Sequence, residues 1–394
     1  MKRIATQPRP DWRTKVESQG LVFLECEGWE LWDESAYYEL SEFDVSSIEH
    51  CTRELVSMCR EAVDMLVREN KLHLVGIPEQ FHAYVRRSWL EGHPSLYGRF
   101  DLAYDGRNPP KLLEFNADTP TALLESAVVQ WYWLQDKFPG SDQYNSIHER
   151  LLDAWKSAVP TGPVHFACAT ESPEDVMTIE YLRDTAGQAG LATHALPVGA
   201  IGWNAAAGEF RDESERAIRH LFKLYPWEWL MDEEFSRFIP LASTRWIEPA
   251  WKLILSSKAI LCVLHSLFPR SPYLLPATLE PPKWSHVRKP FFSREGANIT
   301  VVDHGRVTTE TPGPYAGPYV YQAKATLPRF GDRYALVGSW VVGGKDCGVG
   351  MREDTVAVLS NVSPFVPHVF NPGESARPTL TLAQSDIPPP LPGA

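Results

Sequence analysis

The sequence predicts a mixed α/β fold of more than one packed unit, because of its length and two contrasting patterns of apolar residues. At 394 residues the chain is long for a single hydrophobic core. Residues 164–198 alternate strand, helix and strand in the manner of a βαβ unit. Residues 287–359 contain short alternating segments typical of an antiparallel sheet. We therefore divide the chain into an N-terminal part, an inserted α/β lobe, a strand-rich part and a Pro-rich mobile tail, at residues 1–160, 161–240, 241–370 and 371–394.

The N-terminal part is predicted to contain two helices followed by a β-hairpin. Apolar residues at helical spacing predict the helices at residues 45–70 and 80–90. Apolar strands at residues 97–104 and 111–116 flank the turn-rich sequence DGRNPP and predict the hairpin. A third helix is expected at residues 121–134, starting directly after the hairpin.

The later helices and strands are predicted from the same helical spacing and strand alternation of apolar residues. The inserted lobe is expected to have strands at residues 164–168 and 193–198 around a helix at residues 176–189. The strand-rich part is expected to begin with a helix at residues 258–267. Its strands are predicted at residues 287–292, 297–302, 319–325, 333–342 and 355–359.

Composition narrows the possible partners and the cell compartment. The net charge of −12 argues against nucleic acid or an anionic membrane as a partner. The six cysteines form no CxxC pair, so we expect buried free thiols and a reducing compartment. Because the N-terminus lacks an apolar run and no segment is long enough to span a membrane, we expect a cytoplasmic protein.

The hairpin carries the first cluster of polar residues. Side chains alternate along a strand, so a register that pairs Asp101 with Glu114 also pairs Arg99 with Asn116. Two carboxylates and an amide oxygen beside an arginine would suit a hard cation next to a phosphate. Two alternatives stay open: Asp101 and Glu114 as a glycosidase acid–base pair, or a structural salt bridge from Arg99 to Asp118.

A second cluster lies in the strand-rich part. Lys289 ends a short strand and precedes the small loop SREGAN, whose backbone N–H groups could fold over phosphates. With Lys258 at the start of a helix, and with Lys324 and Arg352 on or beside later strands, four cations could neutralise a triphosphate. The alternative is that each cation is a solvated surface charge.

Several sequence blocks resemble one known family. The blocks YGRFDLAYDG, LLEFNADTPTALLESAVVQW, EPAWKLILSSKAILCVLHSLFP, RKPFFSREGANI, YVYQ and GSWVVGGKDCGVGMRED are similar to the synthetase half of glutathionylspermidine synthase. The likeness is to stand-alone bacterial members without the amidase half, and it covers nearly the whole chain. It implies an ATP-grasp fold with the inserted lobe as a pre-ATP-grasp-like unit. It also implies a ligase that uses ATP and Mg²⁺ to join a carboxylate to an amine through an acyl-phosphate.

The resemblance also implies a role for each matching position. Asp101, Glu114 and Asn116 would bind Mg²⁺, and Arg99 would stabilise the transferring phosphoryl group. The nucleotide would contact Lys258, Lys289, Arg352 and, at the adenine, Gln322. Substrate contacts would come from Thr119, Thr121 and Arg294. The residue that accepts the amine proton is open among Glu174, Asp175 and Glu228.

Two departures from the family pattern bear on the substrates, which are expected to be a small peptide or amino acid and an amine. Asn361 lies where the family's synthases have an aspartate for the polyamine, and Thr119 and Thr121 replace serines. Two other hypotheses remain at this point. One is a nucleotide-binding protein without turnover, and the other is a structural hairpin on an unrelated α+β fold.

Overall fold

The computed structural model, which describes residues 1–372, contains two large antiparallel sheets. The strands of the six-stranded sheet run in the order Phe365–Val366, Lys345–Asp354, Arg333–Val342, Tyr97–Ala103 and Lys111–Asn116, with Arg329–Phe330 paired beside Arg333–Val342. The strands of the five-stranded sheet run in the order Ala277–Thr278, Tyr319–Ala323, His286–Pro290, Thr300–Asp303 and Arg306–Glu310. The predicted hairpin thus shares one sheet with strands from the other end of the chain. The limits of the four predicted parts remain a prediction, and the proposed tail lies almost entirely outside the described residues.

One strand was misplaced in the sequence prediction. Residues 355–359 are not a strand, and the strand lies immediately before them at Lys345–Asp354. Its glycines favour a loop when the sequence is read alone. The two glycines before this strand, Gly343 and Gly344, have φ of 57° and 77° and form the tight turn that connects it to Arg333–Val342. Gly350 is required because a Cβ there would lie 2.4 Å from the hydroxyl of Ser126.

The predicted βαβ unit is present and belongs to a four-stranded parallel sheet. The strands of this sheet run in the order Arg245–Ile247, His220–Leu224, Val164–Cys168 and Thr193–Pro197, and the first of them lies beyond the predicted limit of the inserted lobe. The helix Pro173–Gln188 connects Val164–Cys168 to Thr193–Pro197. The hydroxyl of Ser172 accepts a hydrogen bond from the amide of Asp175, which caps the start of this helix.

The long helix Glu42–Arg68 confirms the strongest helical prediction. It starts three residues earlier than predicted because Ser41 and Asp44 form a capping box. The remaining α-helices are Trp12–Ser18, His82–Leu90, Gln130–Lys137, Ile147–Ala158, Trp227–Asp232, Lys252–Ser256 and Ile260–Leu267. Smaller sheets are formed by Lys2–Ala5, Ala36–Ser41 and His368–Asn371, by Gly202–Asn204 and Glu209–Arg211, and by Glu25–Cys26 and Trp29–Glu30.

The helix expected directly after the hairpin begins later than predicted. Ala122 has a φ of 64°, and helical structure starts at Leu123. A π-helical turn, Glu125–Val129, then precedes Gln130–Lys137. Residues 119–122 therefore form an irregular segment between the hairpin and the helix.

Several tryptophan side chains and most of the cysteine thiols lie in the protein interior. Six tryptophans are among the largest fully buried side chains: Trp32, Trp133, Trp155, Trp227, Trp246 and Trp340. All six cysteines are free thiols, and four of them are buried. None of the helices within residues 1–372 combines the length and the apolar character needed to cross a membrane.

Candidate active site

A cleft of about 540 Å³ is lined by strands of both large sheets. Every residue to which the resemblance gives a metal, nucleotide, catalytic or substrate contact lies in its wall, namely Arg99, Asp101, Glu114, Asn116, Thr119, Thr121, Lys258, Lys289, Arg294, Gln322 and Arg352. Residues that are more than 200 positions apart in the sequence thus share one cavity. The cleft also contains Asn361 and several acidic residues.

The hairpin has the predicted register, with Asp101 opposite Glu114 and Arg99 opposite Asn116. The guanidinium of Arg99 donates from Nε to Asp101 at 2.8 Å and from Nη1 to the carbonyl of Thr121 at 2.8 Å. The Asn116 amide donates to the other oxygen of Asp101 at 3.0 Å. Arg99 is therefore fixed between the hairpin and the irregular segment that follows it.

The structure contradicts the salt bridge from Arg99 to Asp118. Asp118 accepts hydrogen bonds from Lys223 Nζ at 2.6 Å and from the amide of Trp227 at 2.9 Å. Both charged side chains are almost completely buried. Asp118 thus joins the end of the hairpin to the inserted lobe, while Arg99 takes Asp101 as its partner.

The two predicted phosphate-binding lysines lie next to Glu114 and Gln322. Lys258 Nζ lies 3.2 Å from the Glu114 carboxylate and donates to the carbonyl of Ser293 at 2.7 Å. Lys289 Nζ donates to the Leu113 carbonyl at 2.9 Å and to Gln322 Oε1 at 2.8 Å. The prediction that Lys258 starts a helix was wrong. Lys258 lies in the turn between Lys252–Ser256 and Ile260–Leu267.

The charges in this part of the cleft depend on each other. Burial opposes ionisation of Glu114, but the positive charges of Lys258 and Lys289 prevail and lower its pKa to about 2. Burial lowers the pKa of Lys289 to about 8, although the charge of Glu114 acts in the opposite direction. Glu114 is therefore ionised at neutral pH.

The loop after Lys289 lies over the part of the cleft that contains Thr119. Arg294 donates to the hydroxyl of Thr119 at 2.8 Å and forms an ion pair with Glu228. Gly296 adopts a φ of 70°, and a Cβ there would lie 2.5 Å from the carbonyl of Leu359. The loop therefore packs closely against the segment that leads to Asn361.

Arg352 connects the cleft to that same segment. Its guanidinium donates to the carbonyls of Ser360 and Ser363, at 3.0 Å from Nη2 for Ser363. Burial, and the nearby charge of Arg99, lower the pKa of Arg352. Its position inside the cleft rules out the alternative of a solvated surface charge for this residue.

Two acidic residues in the cleft were not singled out from the sequence. Glu125 is 5% exposed, and its Oε2 has no hydrogen-bond partner among residues 1–372. Burial raises its pKa to about 7, and the charge of Glu174 acts in the same direction. Glu295 lies on the loop after Lys289, and burial likewise raises its pKa. The sequence offered one signal for Glu125: in a regular helix, a residue four positions after Thr121 would lie on the same face as Thr121. The π-helical turn Glu125–Val129 changes that spacing, so the signal is weak.

We expect Glu125 to make the stability of the protein fall as the pH rises. The folded carboxyl keeps its proton up to about pH 7, whereas the unfolded carboxyl loses it near 4.5, so the folded state binds more protons in between. Between these pH values the free energy of unfolding should fall by up to about 3 kcal/mol on account of this group. Urea unfolding of Glu125→Gln at pH 5 and pH 8 should show a smaller difference than the wild type. Glu61→Gln, on the exposed face of Glu42–Arg68, should keep the wild-type difference, and an unchanged difference in Glu125→Gln would contradict the expectation.

The oxygen atoms of the hairpin suit a magnesium ion. Within residues 1–372, no three His, Cys, Asp or Glu side chains come together as a metal-binding group. Mg²⁺, however, is commonly bound by one or two carboxylates together with substrate phosphates. Asp101 and Glu114 are cross-strand neighbours and the Asn116 amide contacts Asp101, so the donors fit this pattern.

Comparison with known proteins identifies the family. The family model described as "Glutathionylspermidine synthase preATP-grasp" matches residues 3–371. The chain belongs to the glutathionylspermidine synthase family. A Haemophilus influenzae protein named "Putative acid--amine ligase" is 40% identical over 396 residues, which cover 94% of this chain and all of that protein. The chain described here is thus an enzyme that forms an amide bond, an acid–amine ligase of the glutathionylspermidine synthase type.

More distant relatives are longer proteins. The trypanothione synthetase of Crithidia fasciculata is 29% identical over 84% of this chain, and the bifunctional glutathionylspermidine synthetase/amidase of Escherichia coli is 28% identical over 84%. The chain spans 56% and 58% of their lengths. A solved structure of a glutathione synthetase-like effector from Globodera pallida matches 92% of this chain and 95% of its own, with a TM-score of 0.58 at 10% identity. The fold is accordingly a mixed α/β fold of the ATP-grasp type.

Proposed function

We propose that this family member uses ATP and Mg²⁺ to activate the carboxylate of a small peptide or amino acid as an acyl-phosphate, and then joins it to an amine. The observation that carries the proposal is that one cleft brings together the predicted metal, nucleotide and substrate residues, with Glu114 paired to Lys258 and Asp101 paired to Arg99. A phosphoryl transfer of this kind depends mainly on positioning and electrostatic stabilisation.

In the first step, an oxygen of the substrate carboxylate attacks the γ-phosphorus, and the bond to the bridging oxygen of ADP breaks. Asp101, Glu114 and Asn116 would hold Mg²⁺, which when bound neutralises charge on the phosphate oxygens. Lys258 and Lys289 would contact the phosphates, with Arg352 beside them. Gln322, whose amide donates to the Leu112 carbonyl at 2.9 Å, would position Lys289 and border the adenine.

In the second step, the amine nitrogen attacks the acyl carbon, the carbon–oxygen bond to phosphate breaks, and the amine loses a proton. Asp175 is our first choice for the proton acceptor, because burial and the charge of Glu174 raise its pKa to about 7. Glu228 is already paired with Arg294. We propose that Arg294, together with Thr119 and Thr121, binds the carboxylate-containing substrate.

The reaction can be tested by measuring ADP release. Purified protein is incubated with ATP, Mg²⁺ and a matrix of acids (glutathione, γ-glutamyl peptides, amino acids) and amines (spermidine, putrescine, amino acids). At least one pair should release ADP and yield the amide in equal amounts. ATP binding without ADP release for every pair would contradict the ligase proposal and favour a nucleotide-binding protein.

We expect the metal-binding role to be visible in nucleotide binding alone. In Asp101→Asn and Glu114→Gln, the gain in ATP affinity produced by Mg²⁺ should fall at least about tenfold, because a charged oxygen ligand is lost. Calorimetric titration with and without Mg²⁺ measures this gain. Asp332→Asn, which changes an exposed carboxylate outside the cleft, is the matched control and should keep it. An undiminished gain in both cleft variants would contradict the assignment.

A further inference from the structure

A second cavity of about 540 Å³ lies behind the hairpin, on the face opposite the active-site cleft. The phenyl ring of Phe115 lines this cavity, whereas its neighbours Glu114 and Asn116 line the cleft. This division follows from the alternation of side chains along a strand. The proposed reaction uses no side chain of this second cavity.

The second cavity is rich in positive charge, although the whole chain has a net charge of −12. Its wall contains four cationic side chains (Arg60, Arg150, Lys252 and Lys345) and one acidic side chain, Asp153. Asp153 is exposed and already paired with Lys156 at 3.5 Å. Within residues 1–372, the side chains of Arg60, Arg150 and Lys345 form no hydrogen bond or ion pair. Three cations around one cavity are therefore free to bind an external anion.

The fourth cation is fixed in place and borders the interior of the cavity. Lys252 Nζ donates to the hydroxyl of Ser95 at 2.9 Å and to the carbonyl of Tyr97 at 2.9 Å, and it lies 3.4 Å from Glu248. Its charge is thus largely compensated within the protein. The uncompensated charge lies instead on Arg60, Arg150 and Lys345.

The rest of the wall is aromatic and aliphatic. The rings of Trp89 and Trp251 pack edge to face at 5.1 Å, and both line the cavity. Their indole N–H groups donate to Asp64 and to the carbonyl of His93, so the polar edges already have partners. Phe115 adds a third ring. Such a wall suits an apolar, planar group rather than a hydrated ion alone.

We propose that this cavity binds a small aromatic anion, such as an aromatic carboxylate, sulfonate or phosphate. The aromatic ring would contact Trp89, Trp251 and Phe115. The anionic group would take hydrogen bonds from Arg60, Arg150 and Lys345. Phe100 and Phe115 belong to the two strands of the hairpin and stack on each other at 3.9 Å. An occupant in contact with Phe115 would therefore contact the hairpin on the face opposite the cleft.

The probe for this site is 1-anilinonaphthalene-8-sulfonate, whose fluorescence rises when it leaves water. The full chain should bind it saturably with one high-affinity site. The double variant Arg60→Glu/Arg150→Glu should weaken this binding at least about tenfold, since charge-assisted hydrogen bonds are lost. Arg270→Glu/Arg306→Glu, which changes the net charge equally on exposed residues outside both cavities, should weaken it less than about twofold.

Three results would overturn the proposal: no saturable binding, an equal loss in the control variant, or an equal loss in Lys258→Ala, which would place the probe in the active-site cleft. Indole-3-acetate should displace the probe, and the neutral indole-3-acetamide should not. If the double variant has a lowered unfolding temperature, Lys345→Glu provides the same test on an exposed residue. The assay measures binding only, so its result is independent of the proposed reaction.

Discussion

Arg99→Ala is expected to lower the rate of amide formation by about two orders of magnitude or more while leaving ATP affinity within about twofold of the wild type. We propose that Arg99 stabilises charge that develops as the phosphoryl group moves, and removal of such a contact affects the transition state more than the ground state. Steady-state kinetics of ADP release, combined with calorimetric ATP binding, separates the two effects. A parallel loss of ATP affinity would show that Arg99 acts in ground-state binding instead.

Gly338→Ala tests the same residue without altering its charge. Gly338 lies directly across the sheet from Asp101, and a Cβ there would lie 2.8 Å from Cδ of Arg99. The methyl group should displace the guanidinium from Asp101 and reduce turnover, with Arg99 itself still present. Gly344→Ala is a control for the glycine change because a Cβ there meets no atom within 4 Å, although its positive φ adds some local strain. Wild-type turnover in Gly338→Ala would argue against a strict position for Arg99.

Lys223→Met is expected to produce the largest loss of stability, about 3–5 kcal/mol. The change leaves Asp118 buried with one backbone donor and no opposite charge, and breaking a buried ion pair from one side is strongly destabilising. Urea unfolding at neutral pH measures the loss. The loss should shrink at low pH, because burial already raises the pKa of Asp118 and the variant carboxyl can then take up a proton.

Two further variants show whether the loss comes from the ion pair. Lys223→Met/Asp118→Asn should recover part of the stability, since the buried charge is gone and the amide oxygen can still accept from Trp227. Arg68→Met removes an exposed partner of Asp64 and should change stability by about 1 kcal/mol or less. Equal losses in Lys223→Met and Arg68→Met would contradict the role of burial.

The hairpin and its polar cluster were predictable because their signals are local. Alternation and one turn-rich segment predict the register that pairs Asp101 with Glu114. The ion-pair partners of the charged residues in the cleft could not be predicted in the same way. The alternative that paired Asp118 with Arg99 rested on their nearness in sequence, whereas in the fold Asp118 pairs with Lys223.

The errors in secondary structure also have physical causes. The strand Lys345–Asp354 contains glycines that favour a loop in isolation, and the need for close packing against Ser126 overrides that preference. The helix start was predicted too early because the threonines are good capping residues, whereas Ala122 adopts a positive φ that breaks the helix there. Conformations imposed by tertiary contacts leave little trace in local sequence.

The pairing of Tyr97–Ala103 with Arg333–Val342 has a consequence for synthesis of the protein. The two strands are separated by more than 200 residues, so the central pair of the six-stranded sheet cannot form until most of the chain has left the ribosome. The hairpin would until then have an unpaired edge, a state that favours association with other chains. We therefore expect the candidate catalytic cluster to be among the last parts of the molecule to assemble.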